Sequence, residues 1–234
     1  MALILSIDTS SSDSTVSLAN DDLILATQKS DIQKNHASFV QPAIQQIFSQ
    51  TGSSLNAIDA VAVVAGPGSY TGLRVGLASA KGICYALDKP LIFLSSLELL
   101  ALSSIEDYHK TSSNQLPVVY CPMIDARRME VFTCVYDEEL QILEEPHAAI
   151  INDSFLAKYL AHYQVIFSGN GAAKFSALNI SPNAFFSQAT YLEKHLSSLS
   201  LKLYNKNRFV DIAYSEPVYL KEFFSLKEKN KNPA

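Results

Sequence analysis

The segment from residue 60 to residue 87 constrains the fold more than any other part of the sequence. It starts with a continuous apolar run, Ala60 to Ala65, passes through the run Gly66-Pro67-Gly68-Ser69-Tyr70-Thr71-Gly72, and ends in a helical stretch that reaches Leu87. An apolar run without polar alternation predicts a strand buried on both faces, as in parallel sheets with helices on each side. A buried strand, a glycine loop and a helix in succession therefore indicate an α/β fold.

The order of predicted elements repeats along the chain. The first half reads as strands at 2–7, 15–19 and 23–27, a helix at 35–50 capped by Asn35 and bent at Pro42, the strand and helix of 60–87, and a short strand and helix from 91. The second half reads as strands at 118–124, 129–136 and 140–143, an amphipathic segment at 155–161 after Pro146, and a strand at 165–167. We therefore predict two lobes of βββαβα order on mixed sheets, residues 1–104 and residues 105–234.

Composition and charge restrict the functions that such a chain can have. Its 234 residues are 48% hydrophobic, enough for a sizeable core. The formal net charge of −5 disfavours tight binding to nucleic acid by this chain alone. No stretch resembles a signal peptide or is long enough to span a membrane, and Cys84, Cys121 and Cys134 lie in apolar runs without metal-ligand spacing. We expect buried thiols in a cytoplasmic protein, with a frayed charged tail at 227–232.

Two loops have the residue types that bind phosphate. Small or flexible residues at a helix start, here Gly66, Gly68, Ser69 and Thr71, can receive an anion on free N–H groups, although the spacing matches neither GxGxxG nor the P-loop. A tight structural turn is the other interpretation. The run Asp8-Thr9-Ser10 after the first strand could hold a metal-bound nucleotide, or could form a hydroxyl-rich turn in which Asp8 bonds the backbone.

The second lobe has a comparable but weaker candidate. Its first strand also ends in an aspartate, Asp125, and a turn containing Gly169 and Gly171 follows its last predicted strand. This turn could face an adenosine. As in the first lobe, an ordinary structural turn is the alternative.

The helix after the glycine loop is apolar or small on every side. From Leu73 to Leu87 only Arg74, Ser79 and Lys81 are polar, so the helix is predicted to be covered on more than one face. Gly72, Gly76, Ser79, Ala80 and Ile83 form a strip that another helix could approach closely. The covering element could be a partner helix or the chain's own sheet.

Metal and hydrolytic chemistry are not indicated. A metal pair on one helix face needs two histidines one turn apart, but His36 is followed four residues later by Val40. The other histidines, His109, His147, His162 and His195, lack ligand spacing. Ser69 is not in a GxSxG elbow. We predict no metal site and no catalytic residue.

Four segments together resemble the TsaB (YeaZ) family, which belongs to the actin/sugar-kinase/Hsp70 ATPase superfamily. They are Ile4 to Ser10, Gly66 to Arg74, Ser95 to Glu98, and Asp125 to Arg127, in that order. The long glycine segment is the most specific of them. Gly169 to Ala172 and Pro217 to Lys221 add weaker support, so the resemblance covers most of the chain. It implies the duplicated lobes of the actin-like ATPase (ribonuclease H-like) fold.

The resemblance also implies a function and partners. A member of this family is expected to be a non-catalytic subunit that pairs with the catalytic paralogue TsaD through first-lobe helices. With the ATPase TsaE, the complex transfers threonylcarbamoyl to the adenosine next to the tRNA anticodon. The implied interface includes His36, Val40, Arg74, Gly76, Ser79, Ala80 and Ile83.

The same resemblance implies that no cofactor is bound tightly, with ATP or ADP and Mg at or near the partner interface. It implies indirect contact with tRNA, and we expect a homodimer when the partner is missing. The alternative functions are an active small-molecule kinase or ATPase of the superfamily, and a metalloprotease, which would need a metal centre.

Overall fold

The computed structural model describes residues 1–32, 35–108, 116–178 and 181–221. The first half contains β1 (Leu3–Asp8), β2 (Ser14–Asn20), β3 (Leu23–Ser30), α1 (His36–Thr51), a 3₁₀ turn (Leu55–Ala57), β4 (Ala60–Gly66), α2 (Tyr70–Leu87), β5 (Leu91–Ser95) and α3 (Ser96–Tyr108). The second half contains β6 (Val118–Asp125), β7 (Glu130–Tyr136), β8 (Ile142–Ile150), α4 (Ala157–Leu160), β9 (Gln164–Ser168), α5 (Ala172–Ser176), β10 (Ala184–Phe186) and α6 (Glu193–Asn205). His109 and the predicted frayed tail lie outside the described residues.

The first sheet has the strand order β3-β2-β1-β4-β5. The three N-terminal strands form the predicted antiparallel meander, and β4 pairs in parallel with β1 and β5. Every residue of β4 is buried because successive side chains alternate between two covered faces. Val61 and Val63 pack in the cluster that includes α1 and α2, whereas Ala62 and Val64 pack in the cluster that includes α6. The α/β prediction is confirmed.

The predicted helix at 35–50 is confirmed as α1, and it ends at Gly52 in the left-handed conformation that glycine favours. Its predicted cap is wrong, since the Asn35 side chain accepts no hydrogen bond from the backbone of the first turn. By contrast, Ser69 begins α2 as a true cap, its Oγ accepting from the N–H of Gly72 at 3.3 Å. In α3, the N–H of Glu98 donates to Ser95 Oγ at 3.3 Å.

The second sheet repeats the topology with the order β10-β9-β6-β7-β8, and β6 pairs antiparallel with β7 and parallel with β9. Its third strand is longer than predicted, because β8 continues through Pro146 to Ile150. Proline is tolerated there because β8 is an edge strand. The amphipathic segment around Phe155 forms only one helical turn, α4.

The end of the chain returns to the first lobe. Leu196 and Leu199 of α6 pack against the first sheet, although the sequence reading assigned 105–234 as a single second lobe. Residues 207–221, which we call the C-terminal strap, follow α6. The Val210 N–H donates to the Leu91 carbonyl at 2.9 Å on β5, and Leu220 packs against the cluster that α3 forms with the second sheet. The strap therefore crosses from one lobe to the other.

The structure also describes the surroundings of the cysteines and the length and apolar character of the helices. All three cysteines are free and buried, and burial raises the pKa of Cys84 to about 11. No helix in the described ranges combines enough length and apolar character to span a bilayer.

Candidate functional site

The two candidate phosphate loops of the first lobe pack against each other. The Ser69 N–H donates to the Ser10 carbonyl at 2.7 Å, and the Thr9 hydroxyl donates to the Gly72 carbonyl at 2.7 Å. A Cβ at Gly68 would overlap the Ser10 carbonyl oxygen, and one at Gly72 would overlap that of Thr9. Because these glycines have no side chain, the chain's own backbone can approach them closely. This backbone takes the place beside the glycines that a bound phosphate would need.

Asp8 lies at the centre of this contact and is buried, with 5% of its surface exposed. Its Oδ1 accepts hydrogen bonds from the backbone N–H of Ser10 at 2.9 Å and from the Ser10 hydroxyl at 2.7 Å. Burial raises the pKa of this carboxyl, while the bonds from Ser10 oppose the rise. This geometry matches the hydroxyl-rich turn that was the alternative to a nucleotide site.

Tyr191, which is distant from both loops along the chain, contacts the first of them. Its hydroxyl lies 3.2 Å from the Ser10 hydroxyl, and burial raises its pKa well above the usual value. Nothing in the sequence around residue 191 indicated this role. A metal-bound nucleotide at Asp8 would have to displace Tyr191 or Ser10 from their present hydrogen bonds.

The glycine loop is also covered at its start. Gly66 has a φ of 127°, and a Cβ there would lie 2.8 Å from the Val218 carbonyl oxygen of the strap. The Val218 N–H donates to the Ala65 carbonyl at 2.8 Å. The side chain of Thr71, by contrast, is exposed.

The second-lobe candidates form a similar but more open arrangement. Cβ atoms at Gly169 and Gly171 would crowd the backbone of Met123 on β6. Asp125 is exposed, and its Oδ1 accepts from Lys174 Nζ at 2.6 Å. The hydrogen bond from Lys174 lowers the pKa of Asp125.

Several predicted interface residues face the interior of this chain. A Cβ at Gly76 would overlap the Thr9 hydroxyl, and Ala80 is fully buried against the first sheet. His36 is buried with its Nδ1 2.6 Å from the Ser14 hydroxyl, and Val40 belongs to the core. These four positions are covered by this chain itself, and their direct contact with a partner stays a prediction. The small residues Gly72, Gly76 and Ala80 let α2 pack closely against the chain's own first sheet and the loop after β1.

The outward face of α2 consists of other residues. Ala78, Gly82, Tyr85 and Ala86 are exposed, and Tyr85 is 84% exposed. No atom lies within 4 Å of a Cβ built at Gly82. Ser79 and Ile83, from the predicted interface, are half-buried at the margin of this face.

Arg74 is exposed at the start of the same face, in a cluster with Tyr70 and Tyr219. The guanidinium carbon lies 4.1 Å from the centre of the Tyr70 ring, and Nε donates to the Tyr219 hydroxyl at 2.9 Å. The hydrogen bond to Tyr219 raises the pKa of Arg74. Tyr219 comes from the strap, so no local sequence pattern indicated this contact.

Metal ligands do not gather in any part of the chain that the structure describes: no three His, Cys, Asp or Glu side chains lie close enough to share an ion. His195 is buried, and its Nδ1 accepts from the Leu192 N–H at 2.8 Å at the start of α6. Burial lowers the pKa of this histidine. The metal prediction itself stays a prediction that elemental analysis can test.

Comparison with known proteins gives matches that extend over most of the chain. The family model described as TsaD, tRNA N6-adenosine threonylcarbamoyltransferase, matches residues 24–222. The tRNA threonylcarbamoyladenosine biosynthesis protein TsaB of Buchnera aphidicola is 30% identical over 226 residues, which cover 94% of this chain and 98% of that protein. The protein of the same name from Bacillus subtilis is 32% identical over 142 residues, which cover 61% of this chain. That match spans 58% of the Bacillus protein, so this chain corresponds to a little over half of its length.

A solved structure has the same fold. YeaZ from Pseudomonas aeruginosa superimposes with a TM-score of 0.76 at 23% identity, covering 94% of this chain and all of that one. The likeness supports the duplicated lobes of the actin-like ATPase fold.

Proposed function

This chain belongs to the TsaB (YeaZ) family, and we propose that it is a non-catalytic subunit in the biosynthesis of threonylcarbamoyladenosine in tRNA. In this proposal it pairs through α1 and α2 with a TsaD-type catalytic paralogue, and a TsaE-type ATPase joins them. The names of its relatives place them in this biosynthesis. The pairing and the non-catalytic role are the parts that we propose.

The observation that carries the proposal is that the outer surface of α1 and α2 is nearly free of charged residues. The 16 residues of α1 include no Asp, Glu, Lys or Arg, and the 18 residues of α2 include only Arg74 and Lys81. Exposed positions of α1 are occupied by neutral residues such as Gln41 and Gln45. Depletion of charge distinguishes the centre of protein interfaces from ordinary surface.

Small side chains add to this argument. Ala78, Gly82 and Ala86 are spaced at four-residue intervals and exposed, so another helix can approach the α2 backbone closely. A paralogue of the same fold could present its equivalent helices in a near-symmetric pair. Without the paralogue, a second copy of this chain would cover the same surface, and we expect a homodimer.

The closed loops support a role without catalysis by this chain. Asp8 accepts a hydrogen bond from Ser10 and lies under Tyr191. The neighbouring glycines pack against the chain's own backbone. We therefore propose that ATP or ADP with Mg acts at or near the partner interface and is not bound tightly by this chain. Because the net charge is −5, the partners are proposed to hold the tRNA.

The decisive experiment is a binding assay with the TsaD-type paralogue from the same organism. Gly82→Arg places a long charged side chain on the outer face of α2 and should abolish the heterodimer in size-exclusion chromatography with light scattering. Ala173→Arg, at an exposed position of α5 in the second lobe, is the matched control and should pair normally. Circular dichroism would verify that both variants are folded. Normal pairing of Gly82→Arg would contradict the proposal.

The kinase or ATPase alternative makes a separate prediction. It requires nucleotide turnover by the purified chain that depends on Asp8. We expect no turnover above that of an Asp8→Asn variant, and measured hydrolysis lost in Asp8→Asn would favour the alternative.

A further inference from the structure

Arg74 differs in its contacts from Lys81, the other basic residue of α1 and α2. Lys81 of α2 is already engaged, since its Nζ donates to the carbonyls of Ala213 and Ser215 in the strap at 3.3 and 3.1 Å. Since α1 has no lysine or arginine, Arg74 is the one such side chain of these two helices that is not bound to backbone. It lies beside an otherwise uncharged surface.

The guanidinium of Arg74 is held in a fixed position by two tyrosines. Its central carbon lies over the Tyr70 ring, its Nε donates to Tyr219, and the two ring centres are 5.4 Å apart. These contacts use one N–H, and no hydrogen bond or ion pair joins the two terminal nitrogens to a residue that the structure describes. Their N–H groups form a fork that fits the two oxygens of a carboxylate. Because the side chain is already ordered, less entropy is lost when such a group binds.

The C-terminal strap fixes the position of the Arg74 side chain through Tyr219. Tyr219 follows Val218, whose N–H is bonded to the Ala65 carbonyl, and precedes Leu220, which packs against the cluster of α3 and the second sheet. Lys221 then pairs with Glu130 in the second lobe. The hydroxyl that accepts from Arg74 is thus anchored on both sides along the chain.

On the basis of the proposed function, we propose that Arg74 is the charged anchor of the partner interface and binds a carboxylate side chain of the paralogue that covers α2. Tyr219 is its positioning residue. Arginine and tyrosine are the residue types that most often carry binding energy at protein interfaces, usually near an uncharged centre.

A protein carboxylate fits this surface better than a phosphate of tRNA does. Nucleic-acid binding draws on several lysines and arginines that neutralise successive phosphates. Here Lys81 is occupied by the strap, and the acidic Glu216 contributes to the raised pKa of Arg74. A single guanidinium on two helices that are otherwise nearly free of charge is the arrangement of an interface ion pair.

The test is the affinity of the full chain for the purified TsaD-type paralogue, measured by calorimetry. Arg74→Ala should weaken binding by about 10-fold or more, as expected for truncation of an interfacial hot spot. Arg74→Lys should recover little of this loss, because lysine keeps the charge but not the planar fork. Arg208→Ala, which removes an exposed arginine after α6, is the control and should bind like the parent chain. An unchanged Kd for Arg74→Ala would overturn the anchor.

A second variant tests the positioning role. Tyr219→Phe removes the hydroxyl but keeps the ring, and it should weaken binding less than Arg74→Ala does. Combined with Arg74→Ala it should add nothing further, since both act through one contact. An additive effect would overturn the positioning by Tyr219.

Salt dependence and the Gly82→Arg variant separate the possible failures. A carboxylate anchor predicts a weak dependence of the Kd on salt that disappears in Arg74→Ala. A steep dependence that appears only when tRNA is present would assign Arg74 to nucleic acid and overturn the proposal. If Gly82→Arg abolishes pairing and Arg74→Ala does not weaken it, only the anchor fails. If neither variant affects pairing, the proposed function fails with it.

Discussion

The loop around Asp8 and the loop around Asp125 occupy equivalent places in the two lobes but have opposite electrostatic environments. Each aspartate ends the first strand of its sheet, and in each lobe a glycine turn packs on that strand or the residues just after it. Asp8 is buried, and burial raises its pKa. Asp125 is exposed and paired with Lys174, which lowers its pKa. The two lobes therefore share a backbone plan, but the first loop is interior and the second is at the surface.

The difference follows from what covers each loop. The first loop lies under Tyr191, which precedes α6, and against the start of α2. The described residues place no comparable cover over Asp125. A loop that is covered by its own chain is suited to a structural role. This agrees with the proposal that the chain is a non-catalytic subunit that supports a partner.

The largest expected difference between the two loops is in the cost of adding a methyl group to their glycines. Gly72→Ala should lower the free energy of unfolding by about 3 kcal/mol, because its Cβ would overlap the Thr9 carbonyl in a closely packed contact. Gly171→Ala should cost less, roughly 1 to 2 kcal/mol, since a side chain, that of Val131, is the nearest obstacle at 2.8 Å. Gly82→Ala, in open space on α2, should instead stabilise by about 0.5 to 1 kcal/mol. Urea denaturation measures all three free energies of unfolding, and equal costs at Gly72 and Gly171 would mean that the two loops are packed equally tightly.

Removing the two carboxylates should have unequal effects. Asp8→Ala leaves the N–H and hydroxyl of Ser10 without their acceptor in a buried site and should cost about 2 kcal/mol. Asp125→Ala removes an exposed ion pair and should cost about 1 kcal/mol or less. Thermal unfolding at neutral pH would compare them. A larger loss at Asp125 would mean that the exposed loop, and not the sealed one, stabilises the fold.

The pH dependence of stability should have opposite signs at the two sites. Because the folded pKa of Asp8 is raised, the folded state holds its proton more tightly, and this contribution is lost as pH rises from 3.8 through the folded pKa. The folded pKa of Asp125 is lowered, so its contribution is present above 3.8 and is lost as pH falls through the folded pKa. Relative to the parent chain, Asp8→Asn should therefore gain stability as pH rises, whereas Asp125→Asn should lose it. Parallel pH profiles of the two variants would contradict this assignment.

The sequence predicted the strands and loops of both lobes better than it predicted the contacts between distant segments. The apolar run at 60–65 and the following helix were enough for an α/β fold, because strand burial leaves a local pattern. The orientation of α2 was not predicted, since small or apolar residues occur on every side of this helix and their types do not show that Gly76 and Ala80 face inward. Tyr191 and Tyr219 reach the site from more than a hundred residues away along the chain, and no local motif records such a contact.

The smallest expected effect on stability concerns the ion pair between Lys174 and Asp125. Lys174→Met removes the cation beside Asp125 and keeps an unbranched side chain that can cover the same surface. Stability should change by less than about 1 kcal/mol, because the ion pair is partly exposed. The pKa of Asp125, followed by NMR titration of its carboxyl carbon, should rise towards 3.8, while that of Asp8 should not change. If the pKa of Asp125 stays low, the N–H of Arg127, which donates to the same Oδ1 at 2.6 Å, stabilises the carboxylate in place of Lys174.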